Sequence, residues 1–109
     1  MYEMLFGHSP FRSLDSNNRQ NNLIRNIKLC KYSFPDTIRV SEEAKDLIRK
    51  LLTKAPEKRL GYKGGSDIQQ HPFFRTINWD DLYARRLDAP IKVKLNNKKK
   101  QEVRLAARV

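Results

Sequence analysis

Three features of the sequence predict an all-α fold. Ala44, Leu47, Ile48, Leu51 and Leu52 recur at i, i+3, i+4, i+7 and i+8, the spacing that lines one face of a helix. Tyr2, Leu5 and Phe6 repeat that spacing at the start of the chain. Two further helix starts are marked by capping residues, Ser66 with Gln69 three positions on and Asn78 with Asp81 three positions on.

Taken in order, the opening run MYEMLF ends as a helix at Gly7, with Pro10 beyond it. Met1 already lies inside the periodic run, so the segment reads as the last turns of a longer helix. The polar, Asn-rich residues 12–20 read as a loop, and residues 21 to about 29, carrying Leu23, Ile24 and Ile27, as a short helix. Ser33 to Val40, with Pro35, reads as extended. Ser41 is a suitable N-cap for the best helix, and Glu42 and Glu43 put negative charge in its first turn. Pro56 disfavours helical geometry at Ala55, which places the end near Lys54. Pro56 then opens a short turn in which Leu60 packs inward and Gly61 stops it. The Ser66 helix runs toward His71, where HPFF breaks it, and the Asn78 helix carries Trp79, Leu82, Tyr83 and Leu87. Leu47, Ile48, Leu51 and Leu52 are the expected core.

Composition narrows the function classes. The 109 residues suit one domain, and 39% hydrophobic content fills a modest core. The net charge of +11 points to anionic partners, but seven basic residues and one acidic one fall between Lys92 and Val109, leaving an ordinary excess elsewhere. Residues beyond Pro90 have little patterning and are expected to be poorly ordered. Cys30 is the only cysteine, which excludes an internal disulfide, and His8 and His71 stand in no metal-binding spacing. No apolar run approaches the roughly 20 residues that span a bilayer. The expectation is a soluble intracellular protein, cytoplasmic or nuclear.

The run LIRKLLTKAPEKRLG, Leu47 to Gly61, followed by GGSDIQQHPFF, Gly64 to Phe74, resembles the end of a eukaryotic protein kinase domain, most of all in the AGC group of serine/threonine kinases. MYEMLFGHSPF resembles that family's sixth large helix and the loop after it, YSFPDTIRVSEEAKDLI the approach to the next-to-last helix, and INWDDLYARRLDAPIKVK, Ile77 to Lys94, the start of the AGC C-terminal tail. The resemblance implies the lower C-lobe over residues 1–74 and a partial tail over 75–109, divergent after Lys94. It implies a parent enzyme that transfers phosphoryl groups from ATP, with magnesium, to protein serine or threonine in a basic context. It also implies protein substrates as partners and a tail that contacts the N-lobe. The chain itself lacks the Gly-rich loop, strand lysine, catalytic aspartate loop and Asp-Phe-Gly segment that this chemistry needs, so it is expected to hold no ATP or magnesium and to be inactive alone. Gly61, Gly64 and Gly65 match neither phosphate-loop pattern and read as a connecting turn.

Three residues carry site expectations through the resemblance. Glu3 stands in a Tyr-Glu-Met whose glutamate, in basophilic members, receives an arginine of the peptide; the competing reading is a solvated helix glutamate. Arg59, in the P-x-x-R-L pattern, takes the place of an arginine that pairs with a buried glutamate outside this chain, so here it must hydrate or pair elsewhere. Trp79, with Phe73 and Phe74, reads as a packing anchor. After Lys94 the family's acidic, turn and aromatic tail motifs give way to NNKKKQEVRLAARV. Two non-enzymatic alternatives stand beside the kinase fragment. One is a small basic helical module attracting nucleic acid without sequence preference through Lys98 to Lys100 and Arg104, and the other is an interaction fragment competing for kinase partners.

Overall fold

The computed structural model describes residues 1–92; of the poorly ordered tail expected beyond Pro90, everything from Val93 on lies outside the described residues. Within that span every regular element is helical, and no strand is present among the described residues. The described residues fall into two compact units, Met1–Ile77 and a second that begins at Asn78.

In the first unit, α1 (Tyr2–Phe6) closes on Gly7, whose φ of 81° is a left-handed conformation that glycine adopts without steric cost. α2 runs from Arg19 to Leu29, starting two residues before the sequence expectation because Asn18 already supplies the non-helical lead-in and Asn22 N–H bonds back to its carbonyl at 2.9 Å. It ends in a Schellman closure: Cys30 is left-handed at φ 52°, and the Lys31 amide reaches the Asn26 carbonyl at 2.8 Å. The segment from Lys31 to Val40 is irregular, with a turn at Asp36 and Thr37, rather than extended throughout.

α3 (Glu42–Leu51) begins as expected, with the Ser41 hydroxyl accepting from the Ala44 amide at 3.2 Å. It stops at Leu51, short of Lys54. The Thr53 hydroxyl turns back to donate to the Arg49 and Lys50 carbonyls, each at 3.1 Å, and so replaces the helical bonds that a further turn would have made. A 3-10 turn over Pro56–Lys58 follows, and the Leu60 amide ties the connection to the Lys50 carbonyl at 3.1 Å.

α4 spans Gly65–Gln69, and the capping box expected of Ser66 and Gln69 does not form. Gly64, at φ 139°, makes the turn into the helix two residues early, which leaves Ser66 inside the first turn instead of at the cap. Gly61 is constrained twice. Its φ is 99°, and a β-carbon there would lie 2.8 Å from the Ile68 Cδ1, so the turn packs directly on α4. A second 3-10 turn, Pro72–Phe74, completes this unit.

The core is more aromatic than the sequence suggested. Tyr2, Phe6 and Ile48 are buried together, with Met1, Leu5, Tyr32, Phe34, Val40 and Leu52 packed around them. The Tyr2 and Phe6 rings lie 4.6 Å apart, Phe34 stacks 6.0 Å from Tyr2, and Arg49 caps Phe34 at 5.2 Å. Leu47 and Ile48 are fully buried as expected, whereas Leu51 and Leu52 are only half-buried. Ile24 and Ile27 on α2 remain exposed, as does Met4 at 84%.

In the second unit, Asn78 caps α5 (Trp79–Tyr83) by accepting from the Asp81 amide at 3.1 Å. Leu87, expected within this helix, lies outside it. Arg85 turns left-handed at φ 59° and the Arg86 amide closes onto the Asp81 carbonyl at 2.8 Å, another Schellman end.

Candidate functional site

Glu3 lies on α1, whose neighbouring residues Tyr2 and Phe6 are buried in the aromatic core. That anchoring fixes the short helix and leaves the Glu3 side chain exposed, with no cationic partner among the described residues. A tethered, unpaired carboxylate on a fixed backbone can accept a charge-assisted hydrogen bond from a guanidinium.

Arg59 is exposed and bonds to main chain. Its Nε donates to the Thr53 carbonyl at 2.8 Å and its Nη2 to the Lys54 carbonyl at 3.3 Å. Both carbonyls lie just past the end of α3, where helical partners have run out, so the guanidinium acts as a clamp on the helix exit. Trp79 is half-buried at the start of α5, in the second unit. Glu3 and Arg59 share no hydrogen bond.

Sequence reasoning missed a buried polar node. His71 is 6% exposed and links the second 3-10 turn to α3. Its Nδ1 accepts from the Phe73 amide at 3.1 Å, which requires that nitrogen to be unprotonated. The proton of the neutral ring therefore sits on Nε2, which donates to Asp46 Oδ2 at 2.7 Å. Lys50 approaches the same carboxylate oxygen at 2.9 Å. The His71 hydrogen bond first, and the Lys50 contact second, hold the Asp46 carboxyl below its ordinary range. Arg75 and Glu43, 3.2 Å apart, join the same two elements at the surface. The i, i+4 spacing of Asp46 and Lys50 was visible in the sequence, but the third member is 25 residues away.

Among the described residues no cluster of three or more His, Cys, Asp or Glu side chains could hold a metal ion. The glycine turn is closed on itself: the Gly64 amide bonds the Gly61 carbonyl at 3.0 Å, and Ile68 fills the space above Gly61. No helix among the described residues is long and apolar enough to cross a membrane.

Residues 1–74 match the protein kinase domain family. Among curated proteins the chain is similar to Flippase kinase 1 of Saccharomyces cerevisiae, 45% identical over 83 residues, which are 75% of this chain and 9% of that protein. It is similar to the serine/threonine-protein kinase gad8 of Schizosaccharomyces pombe, 46% identical over 92 residues, 84% of this chain and 15% of the relative. The serine/threonine-protein kinase KIPK2 of Arabidopsis thaliana is 46% identical over 81 residues, 72% of this chain and 8% of the relative. The chain thus spans about a tenth of the length of the relatives it matches. A family match over residues 1–74, on a helical frame built around the LIRKLLTKAPEKRLG segment, places this chain in the protein kinase domain family.

Proposed function

We propose that this chain is the lower C-lobe and first part of the tail of an AGC-type serine/threonine kinase, and that it serves the parent enzyme on the substrate side. The observation that carries this reading is Glu3: an exposed carboxylate, unpaired among the described residues, on a short helix fixed by two buried aromatic rings. The succession of AGC-like segments from Met1 to Lys94 and the names of the relatives, two of them serine/threonine-protein kinases, support it. ATP and magnesium would be held by parts of the parent kinase absent from this sequence, and the groups present here would orient a basic peptide. Residues 1–109 alone would transfer no phosphoryl group.

The test has two parts. Purified chain, incubated with magnesium-ATP and an arginine-rich serine peptide, is expected to give no phosphopeptide; reproducible transfer would overturn the assignment of catalysis to missing parts. In a parent kinase that carries this segment, Glu3→Gln is expected to reduce kcat/KM for an arginine peptide relative to its alanine counterpart, with the KM for ATP unchanged. The loss corresponds to about 1.5 to 3 kcal/mol, the usual worth of a hydrogen bond to a charged group, reduced where water reaches the pair. Full retention of arginine preference would leave Glu3 a solvated helix residue.

A further inference from the structure

A cleft of about 770 Å³ opens between the loop after α1, α2 and the segment that follows α2. Three cations from three separate segments converge on it: Arg12 from the loop, Arg25 from α2 and Lys31 from the chain beyond. No Asp or Glu lines it, and none of the three has an acidic partner among the described residues. Asp15 approaches the wall only by way of Asn22, at 3.5 Å, and is not part of the lining. Burial pushes the Tyr2 phenol above its ordinary range while the charge of Arg12 draws it partly back, so the guanidinium sits within electrostatic reach of the cleft's inner wall. Like charges held together without counter-charge repel one another, and an anion entering the cleft relieves that repulsion.

We propose that this cleft, whose lining includes Tyr2 but not Glu3, is a binding site for a phosphorylated peptide segment, independent of phosphoryl transfer. Arginine side chains grip phosphate oxygens through paired N–H donors, and clusters of them are a recurring means of reading phosphorylated peptides. The size argues for a ligand larger than phosphate alone, since a volume of this order accommodates a multi-residue ligand. The walls that are not cationic include Leu14 and Leu29, which suit apolar residues flanking the phosphate. A single-stranded nucleic acid fits less well because it needs open aromatic faces for its bases. Tyr2 is buried, and Tyr32 is already in edge contact with Tyr2, Phe11 and Phe34.

The experiment titrates the full 109-residue chain with a phosphoserine peptide flanked by leucine and proline, followed by amide NMR shifts and calorimetry. Parallel arms use the unphosphorylated peptide, inorganic phosphate and a single-stranded oligonucleotide. Arg12→Gln with Arg25→Gln is compared with Lys58→Gln with Lys63→Gln, which removes the same charge from exposed positions outside the cleft. The basic C-terminal residues are common to all three proteins. The expected result is phosphopeptide binding at least tenfold tighter than the unphosphorylated peptide or free phosphate, weakened at least tenfold by the cleft pair and less than twofold by the control pair. Equal weakening by both pairs would reduce the site to bulk charge. Loss of the phosphopeptide preference, or an oligonucleotide that binds as tightly and with the same sensitivity to the cleft pair, would overturn the proposal.

Discussion

Phe6→Ala tests whether the aromatic cluster holds the first unit together. The ring is 4% exposed, lies 4.6 Å from Tyr2 and 5.7 Å from Phe34, and belongs to the cluster that includes Ile48. Removing a buried phenylalanine ring typically costs about 3 to 5 kcal/mol. The lower end applies here, about 3 kcal/mol, because α1 is a five-residue helix near the chain start and can settle partly into the void. With a urea dependence of about 1 to 3 kcal/mol per molar for a small protein, the midpoint should fall by about 1 to 3 M, or the variant should be unfolded without denaturant. Two controls bracket the result. Met4→Ala, on the same helix at a site 84% exposed, should change stability by less than about 0.5 kcal/mol. Leu51→Ala, half-buried, should cost about 1 to 2 kcal/mol. The assay is urea unfolding followed by far-ultraviolet circular dichroism. A Phe6→Ala cost no larger than that of Met4→Ala would refute the view that α1 is anchored through its rings.

Three further outcomes are expected. The folded Asp46 carboxyl titrates below its ordinary value of 3.8, so its contribution is present above that value and is lost as pH falls through the folded pKa. The stability difference between the native chain and Asp46→Asn should therefore shrink on acidification below about pH 4, and a difference that is constant with pH would contradict the pairing. Ser41→Ala removes a cap bond and should cost about 1 kcal/mol, whereas Ser66→Ala, where no cap bond exists, should fall within about 0.5 kcal/mol of neutral in the same urea titration. Gly61→Ala combines a left-handed φ with a 2.8 Å clash against Ile68 and should destabilise by about 1 to 3 kcal/mol, read as a lower thermal midpoint.

What the sequence revealed followed the range of the interactions involved. Ser41 and Asn78 were legible as caps because each bonds an amide three residues ahead. Tyr2 and Phe6 were legible as one face of a helix, but their partners Tyr32 and Phe34 sit in an irregular segment with no period to mark them. Leu51 and Leu52 looked equivalent to Leu47 and Ile48 in spacing. In the fold only the first two are fully covered, while Leu51 and Leu52, at the point where the helix stops, are half-buried. Ser66 failed as a cap because a backbone turn at Gly64, rather than a side chain, decides where α4 starts. His71 was invisible as a node because its two bonds depend on which ring nitrogen faces Phe73 and on the approach of α3, both of them products of the fold. Glu3 remains legible only through the resemblance, since an exposed glutamate on a helix has no local signature of purpose.

The Arg59 clamp has a consequence for how the first unit would join any larger body. Its guanidinium is not waiting idle: it already satisfies the Thr53 and Lys54 carbonyls, which would otherwise turn to water. A carboxylate arriving at Arg59 must therefore either share the fork, taking donor positions that these carbonyls leave open, or displace them and free the exit of α3. In the first case, assembly adds a contact to a helix end that is already set. In the second it is an exchange of partners, and the gain from the new ion pair is offset by two carbonyls returned to solvent. The end of α3 would then be a joint whose tightness depends on what stands opposite it.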